Sequence, residues 1–230
     1  MNQSFLTLLL GFLLGVEHAF EADHMVAVST MVTQHQNPLK AALVGTFWGV
    51  GHTTTLFIVG IIVLLLKIQI PTKFSFTLEM LVGFMLVFLG IRVLRQRNDS
   101  PHTHQHKHDD QTHIHAHYHE SHKHWHKHYH SFLIGLIHGL AGSGTLMILV
   151  LSTIRDIIQG IYYILLFGIG SIIGMTIISF AVGIPFILST KRFPAIEKYL
   201  RTIAGILSIG FGISIIYEIG IIGGLFSTLM

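Results

Sequence analysis

The chain has 230 residues, of which 51% are hydrophobic and only 11% are charged, with a formal net charge of +3. Soluble domains usually carry about 25% charged residues, so this composition excludes an ordinary soluble enzyme and favours a helical membrane protein. The absence of cysteine excludes disulfides and thiolate metal ligands.

Six apolar segments are each close to the roughly 20 residues that a helix needs to cross a bilayer. They lie at 4–30, 41–66, 77–95, 132–153, 158–189 and 199–222. The predicted fold class is an all-α integral membrane protein with six transmembrane helices. The first segment has no positive residue before it and is expected to be a retained helix. The fifth contains Pro185 and is expected to bend or to lie partly outside the bilayer.

The first segment contains a polar group that is costly in an apolar helix. Glu17, His18, Glu21, Asp23 and His24 all lie within it. An acid at a helix centre costs about 2.5–3.5 kcal/mol on the insertion scale. A divalent cation would offset this cost, because carboxylate oxygen and imidazole nitrogen are both metal ligands. A solvated position in the headgroup region is the alternative.

Helix geometry restricts how these side chains can share one ion. At about 100° per residue, Glu21 and His24 lie on one face of a helix, and Asp23 points nearly opposite. A straight helix therefore cannot direct His18, Asp23 and His24 at the same ion. The sequence predicts either a break near Ala22 or a role for Asp23 as a partner of the ligands.

Two more histidines lie in apolar segments. His52 follows the small residues of GVG and precedes three threonines, and His138 lies in LIHGLAGSG. Glycine allows close helix packing and backbone breaks, so both histidines are expected to contribute to the metal site. A second break is predicted at 139–144. An ordinary hydrogen-bonding role between helices is the alternative for either histidine.

The long polar stretch 96–131 holds 13 of the 18 histidines. Alternating histidines such as those of HIHAHYH form no packed core and are typical of a metal-binding tract, with a flexible linker as the alternative. If the N-terminus faces outside, 11 of the 14 Lys and Arg residues lie on the inside. The positive-inside rule therefore predicts outside termini and a cytoplasmic His-rich loop in a multi-pass plasma-membrane protein.

A weak internal repeat relates the two halves of the chain. The matched stretches are 15–20 with 135–140, 47–52 with 166–171, and Gly83 and Gly90 with Gly205 and Gly212. Because each half holds three segments, the second would be inverted, as in many secondary transporters with a site near the membrane midplane. The predicted units are a first repeat at 1–95, the loop at 96–131 and a second repeat at 132–230.

His18, four residues, Asp23 and His24 resemble the H-x4-D-H motif of the nickel/cobalt transporter (NiCoT) family. FWGVGHTTT at 47–55, which contains His52, resembles the second motif of that family. The resemblance implies a membrane carrier for Ni²⁺ or Co²⁺ with these four residues as ligands. Six helices and a short N-terminus are similar to the UreH-like branch, which is associated with urease maturation.

The chain departs from the family pattern in two respects. Glu21 stands where many members have an aspartate, and six segments are fewer than the usual eight. A long His-rich loop in a six-helix protein is also similar to the related nickel/cobalt efflux proteins.

The leading prediction is uptake of Ni²⁺, or of Co²⁺, as cargo rather than as a cofactor. The expected metal site consists of His18, Asp23, His24, His52, His138, Glu17 and Glu21. The expected partners are the metal ion, the lipid bilayer and a nickel-delivery or urease-maturation protein, with no nucleic acid.

Three alternatives remain open at this point. The first is efflux, with the loop collecting cytoplasmic metal. The second is an intramembrane hydrolase, although HESHK at 119–123 ends in Lys where a zinc protease has His, and Ser143 lies in a poor serine-protease context. The third is a metal sensor or store built around the loop, which leaves the acids of the first segment unexplained.

Overall fold

The computed structural model describes residues 3–33, 35, 37–67, 71–95, 103–108, 111–116, 124–140, 151, 153–154, 156–192 and 194–226. The longer helices of this part are α1 (Gln3–His18), α2 (Ala22–Val32), α3 (Pro38–Leu66), α4 (Thr72–Arg95), α5 (His124–Leu140), α6 (Ile157–Arg192) and α7 (Pro194–Tyr217). A π-helical turn, Glu218–Ile222, follows α7. Strands β1 (Thr103–His108) and β2 (Gln111–Ala116) form an antiparallel hairpin within the His-rich segment.

Most of these helices are apolar enough to cross a membrane. Four candidate spans are Pro38–Leu66, Thr72–Arg95, Ile157–Phe186 and Ile196–Ile222, and α1 with α2 forms a fifth as a bent pair. Many large apolar side chains of the spans are exposed, as expected where helices face lipid. The chain is therefore a helical integral membrane protein. The predicted segment 132–153 coincides with α5 up to Leu140, and nearly all of its remainder lies outside the described residues.

The first predicted segment consists of two helices that meet at an angle of 54°. The predicted break near Ala22 is confirmed, since the chain turns over Ala19–Glu21 and α2 begins at Ala22. The Glu21 amide donates to the His18 carbonyl (3.1 Å) and closes the last turn of α1. Glu21 then has extended backbone angles (φ −59°, ψ 149°), and its carbonyl accepts from the Met25 amide (3.0 Å) to begin α2.

The other long helices follow local signals in the sequence. At the start of α3, the Asn37 side chain accepts a hydrogen bond from the Leu39 amide (2.8 Å), and Pro38 occupies the first helical position. Lys67 ends the helix in the left-handed conformation (φ 51°). The fifth predicted segment is one helix, α6, that continues through Pro185. The second predicted break, at 139–144, lies mainly outside the described residues.

Helix α3 is central to the bundle, because it packs against both α5 and α6. Helix α1 packs against α6, while α4 packs against α7. The short helix α2 contacts α4, α6 and α7 and so connects the two groups. The core includes Val28 and Val32 of α2, Trp48 of α3, Leu86 of α4 and Met175 of α6. This packing brings the first turn of α2 next to the middle of α3.

Glycines permit the closest helix contacts. A Cβ atom on Gly15 of α1 would overlap the carbonyl oxygen of Phe167 in α6. A Cβ atom on Gly135 of α5 would likewise overlap the carbonyl oxygen of Trp48 in α3. Backbone meets backbone at both points, so no side chain can rotate to make room. Small residues at such contacts are typical of membrane helix packing.

The α3–α5 contact gives a test with a matched control. Gly135→Ala should lower the thermal midpoint in detergent, since overpacking costs about 1–3 kcal/mol. Gly210→Ala should leave it unchanged or raise it, because no atom lies within 4 Å of a Cβ atom at that position and alanine favours a helix. Equal midpoints for the two variants would contradict the close packing at Gly135.

Candidate metal centre

Four buried histidines from four helices come together at the bend between α1 and α2. His18 ends α1, His24 lies in the first turn of α2, His52 lies in α3 and His138 lies in α5. Their side chains are at most 2% exposed. The ring centroids of His24 and His138 are 4.2 Å apart, and those of His18 and His24 are 4.5 Å apart. The four histidines predicted from three separate apolar segments thus form one cluster, which we call the histidine cluster.

The Asp23 carboxylate joins two of the four rings. One oxygen accepts from His24 Nδ1 (2.9 Å) and from the His24 amide (2.8 Å). The other accepts from His138 Nε2 (2.9 Å). Because an ionised carboxylate can only accept, we assign the ring protons to these two nitrogens. In the neutral rings, the lone pairs then belong to His24 Nε2 and His138 Nδ1.

Neither lone-pair nitrogen has a hydrogen-bond partner among the described residues, although both are buried. An unsatisfied buried polar group costs about 1–3 kcal/mol, so the cluster is prepared to receive a partner. A divalent cation supplies such a partner to several imidazoles at once, since neutral imidazole is a common metal ligand. Asp23 orients the rings in the manner of a carboxylate behind a metal-binding histidine.

The remaining two rings face each other. Glu21 Oε1 accepts from His18 Nδ1 (2.9 Å), which leaves His18 Nε2 with a lone pair. That nitrogen accepts a hydrogen bond from His52 Nε2 (3.0 Å), which carries the ring proton in this assignment. Buried His52 Nδ1 also lacks a partner within the described ranges. The carboxylate of Glu21 therefore orients His18 as that of Asp23 orients His24.

The ligand atoms form two overlapping groups that share His24. In the first, one nitrogen each from His18, His24 and His52 lies within 4.8 Å of the others. The second group, with the same spacing, combines His24 with His138 and Asp23. Glu17, which the sequence analysis also proposed as a ligand, is exposed on α1 and belongs to neither group.

Aromatic side chains complete the walls of the cluster. The fully buried ring of Trp48 lies 5.3 Å from that of His24 and 5.4 Å from that of His138. Phe167 of α6 lies 5.5 Å from His18. Trp48 was not among the residues predicted for the site, although it precedes His52 by four residues and so shares a helix face with it. Apolar walls keep water away and strengthen the electrostatic interactions inside.

Comparisons with known proteins relate the whole chain to one family. The family described as NicO, high-affinity nickel-transport protein, matches residues 4–223. The chain is 40% identical over 219 residues to the urease accessory protein UreH of Bacillus sp. (strain TB-90), covering 95% of this chain and 94% of that protein. No solved structure matches the chain.

Two plant proteins are more distant relatives. The chloroplast proteins FOR GROWTH AND FERTILITY 2 and 1 of Arabidopsis thaliana are 25% and 23% identical over 208 and 210 residues. Each match covers 90% of this chain but only 55% and 57% of the respective plant protein.

The orienting role of Asp23 can be tested with an isosteric change. Asp23→Asn should weaken Ni²⁺ binding about 10- to 100-fold, the usual effect of losing a partner of a metal ligand. An amide presents one acceptor where the carboxylate presents two, so one of the two rings would lose its fixed tautomer. The measurement is a calorimetric titration of the purified protein lacking residues 102–123, a deletion that ends before α5 begins.

The matched control is Asp156→Asn in the same background. The Asp156 side chain accepts a hydrogen bond from the Ile158 amide at the start of α6 (2.8 Å), and an asparagine oxygen can do the same. Unchanged affinity in Asp23→Asn would show that the carboxylate does not hold the ligands.

Proposed function

Because the chain belongs to the NicO family of high-affinity nickel-transport proteins, we propose that it carries Ni²⁺ into the cell through the histidine cluster. It is a multi-pass membrane transport protein and not an enzyme, so the metal is its cargo and not a cofactor. The observation that carries the proposal is the set of four buried imidazoles, three of which (His24, His52 and His138) have a ring nitrogen without a partner in the described structure.

The spacing of the first group of ligands supports Ni²⁺. Two nitrogens at about 2.1 Å from one ion lie about 3.0 Å apart at a right angle and about 3.4 Å apart in a tetrahedron. His18 Nε2 and His52 Nε2 are 3.0 Å apart and share a hydrogen bond. The same spacing would suit two neighbouring ligands of a square-planar or tetragonal nitrogen site, the kind that Ni²⁺ prefers. Co²⁺ is the second candidate cargo.

The residues divide into ligands and orienting groups. We propose that His18, His24 and His52 bind the ion first, since one ring nitrogen of each lies within 4.8 Å of the others. His138 then provides a second position beside His24. Asp23 and Glu21 orient these rings through their hydrogen bonds. Glu17 is left out of the ligand set because its side chain is exposed.

Reciprocal contacts support two inverted three-helix repeats, at 1–95 and 132–230, with six spans in total. In the repeat, Gly15 corresponds to Gly135 and Trp48 corresponds to Phe167. The contact of Gly15 with Phe167 therefore has a counterpart in the contact of Gly135 with Trp48. The same correspondence relates Gly51–Phe132 to Gly170–Phe12, and Gly83–Gly212 to Gly90–Gly205. Two packed repeats of this kind can expose one central site to each side of a membrane in turn.

The orientation of the chain follows from its basic residues. We place both termini outside the plasma membrane and 96–131 in the cytoplasm. In uptake, the histidines of this segment would bind metal that has crossed and hold it near the exit. The urease accessory relative supports a urease-maturation or nickel-delivery protein as the next acceptor.

Transport assays test the function directly. His24→Ala and His52→Ala should each reduce radiolabelled Ni²⁺ uptake by at least about tenfold, because each removes a ligand. Thr54→Ala is the control on the same helix, since that hydroxyl donates to the Val50 carbonyl of α3 (2.7 Å) and lies outside the histidine cluster. Normal uptake by both histidine variants would refute the site. Faster loss of Ni²⁺ from preloaded cells that express the protein would show efflux.

The orientation has its own test, since the chain contains no cysteine. Ser121→Cys should resist an impermeant thiol reagent in sealed cells, whereas Thr72→Cys at the exposed start of α4 should react. Permeabilised cells should show both reactions. Reaction at Ser121→Cys but not at Thr72→Cys in sealed cells would show that the orientation is the opposite of the proposed one.

A further inference from the structure

Two cavities lie toward opposite ends of the bundle. The larger, of about 560 Å³, lies between α2, α4 and α7. It opens at the end where α4 begins and α7 finishes, and we call it the acidic cleft. The smaller, of about 60 Å³, lies at the end where α2 and α4 finish. The His-rich segment leaves the bundle at this second end, because it follows α4 and precedes α5.

The inner end of the acidic cleft reaches the histidine cluster. Glu21 and Asp23 both line it, and both carboxylates accept hydrogen bonds from cluster histidines. Behind Asp23 lies His24, which is fully buried and whose Nε2 has no partner in the described structure. An ion in the cleft is therefore separated from the first ligands by a single layer of side chains. None of the residues that line the smaller cavity belongs to the cluster.

The charges in the two cavities have opposite signs. Every charged residue that lines the acidic cleft is an acid: besides Glu21 and Asp23, these are Glu79 of α4 and Glu218 of the π-helical turn. The smaller cavity instead contains Arg92. A cleft with low-dielectric walls and one sign of charge concentrates the opposite ion about 10- to 1,000-fold. The field thus favours a cation in the large cavity and disfavours one in the small cavity.

We propose that the acidic cleft is the path by which the divalent cation reaches the histidine cluster, and that Glu79 and Glu218 attract the ion at its mouth. The inference rests on the proposed transport of Ni²⁺. It assigns the described conformation to the state that is open at the end opposite the His-rich segment. Glu21, which is 36% exposed, lies where the ion passes from the cleft to His18.

The first test removes the charge at the mouth of the full-length protein. The double variant Glu79→Gln with Glu218→Gln should raise the half-saturating Ni²⁺ concentration about 3- to 10-fold and keep the maximal rate, because only attraction is lost. The difference should shrink as salt screens the field. Asp156→Asn removes one acid from the same end outside the cleft and should change neither value. A half-saturating concentration equal to that of the unmodified protein would overturn the role of the two acids.

The second test examines the path itself. Ile215 lines the acidic cleft and Ile134 lines the smaller cavity. A single cysteine is introduced at each position, as Ile215→Cys or Ile134→Cys. In sealed vesicles, a bulky impermeant maleimide added on the side where Thr72→Cys reacts should label position 215 and not position 134. Labelling at 215 should stop Ni²⁺ transport.

The possible failures can be told apart. If position 215 did not react, or if labelling there left transport unchanged, the proposed path would be wrong. The proposed function would still stand if His24→Ala abolished transport. If His24→Ala transported normally, the proposed function would fail whatever the reactivity of position 215.

Discussion

The hydrogen bonds of one carboxylate, that of Asp23, hold the two halves of the site together. Its oxygens connect α2 to α5 across 115 residues of sequence, from Asp23 to His138. A carboxylate in an apolar bundle is costly unless it is paired, and two imidazole N–H groups pair it here. The same bonds fix which nitrogen of each ring keeps its lone pair. The position of α5 beside α2 and the tautomers of His24 and His138 therefore both depend on the Asp23 carboxylate. The bend in the first span allows Asp23 to reach His138.

The bend solves a geometric problem that a straight helix cannot. Ending α1 at His18 and starting α2 at Ala22 rotates the second helix by 54° relative to the first. His18 and His24 then lie side by side while Asp23 reaches across to α5. The start of α2 carries the positive end of its helix dipole, and the carboxylates of Glu21 and Asp23 lie there. Close backbone contacts at Gly15 and Gly135 then hold α1 and α5 in place.

Most of the apolar helices and the four histidines that come together could be predicted from the sequence, because apolar segment length and polar residues inside such segments are local signals. The predicted segment 41–66 corresponds to Pro38–Leu66. The break near Ala22 was predicted from the need to direct Asp23 and His24 at one ion, and not from a local helix breaker, since Glu17–His24 contains neither Gly nor Pro. The contact of Asp23 with His138 depends on tertiary packing, which no local pattern encodes. The helical start of α5 at His124 was also missed, because alternating histidines lack the apolar period of a helix.

The number of acids beside the histidine cluster matters for movement of the ion across the membrane. In the proposed site, four imidazoles would provide neutral ligands, while Asp23 and Glu21 provide two negative charges next to them. A divalent cation in the cluster would make the local charge zero, and a neutral site is far less costly to enclose in an apolar bundle than a charged one. Both carboxylates act through ring nitrogens, so the ion would keep imidazole ligands that it can exchange one at a time. In the proposed transport, the overlap of the two groups at His24 would allow such an exchange, from the His18 and His52 side to the His138 side, without a step in which the ion loses every ligand.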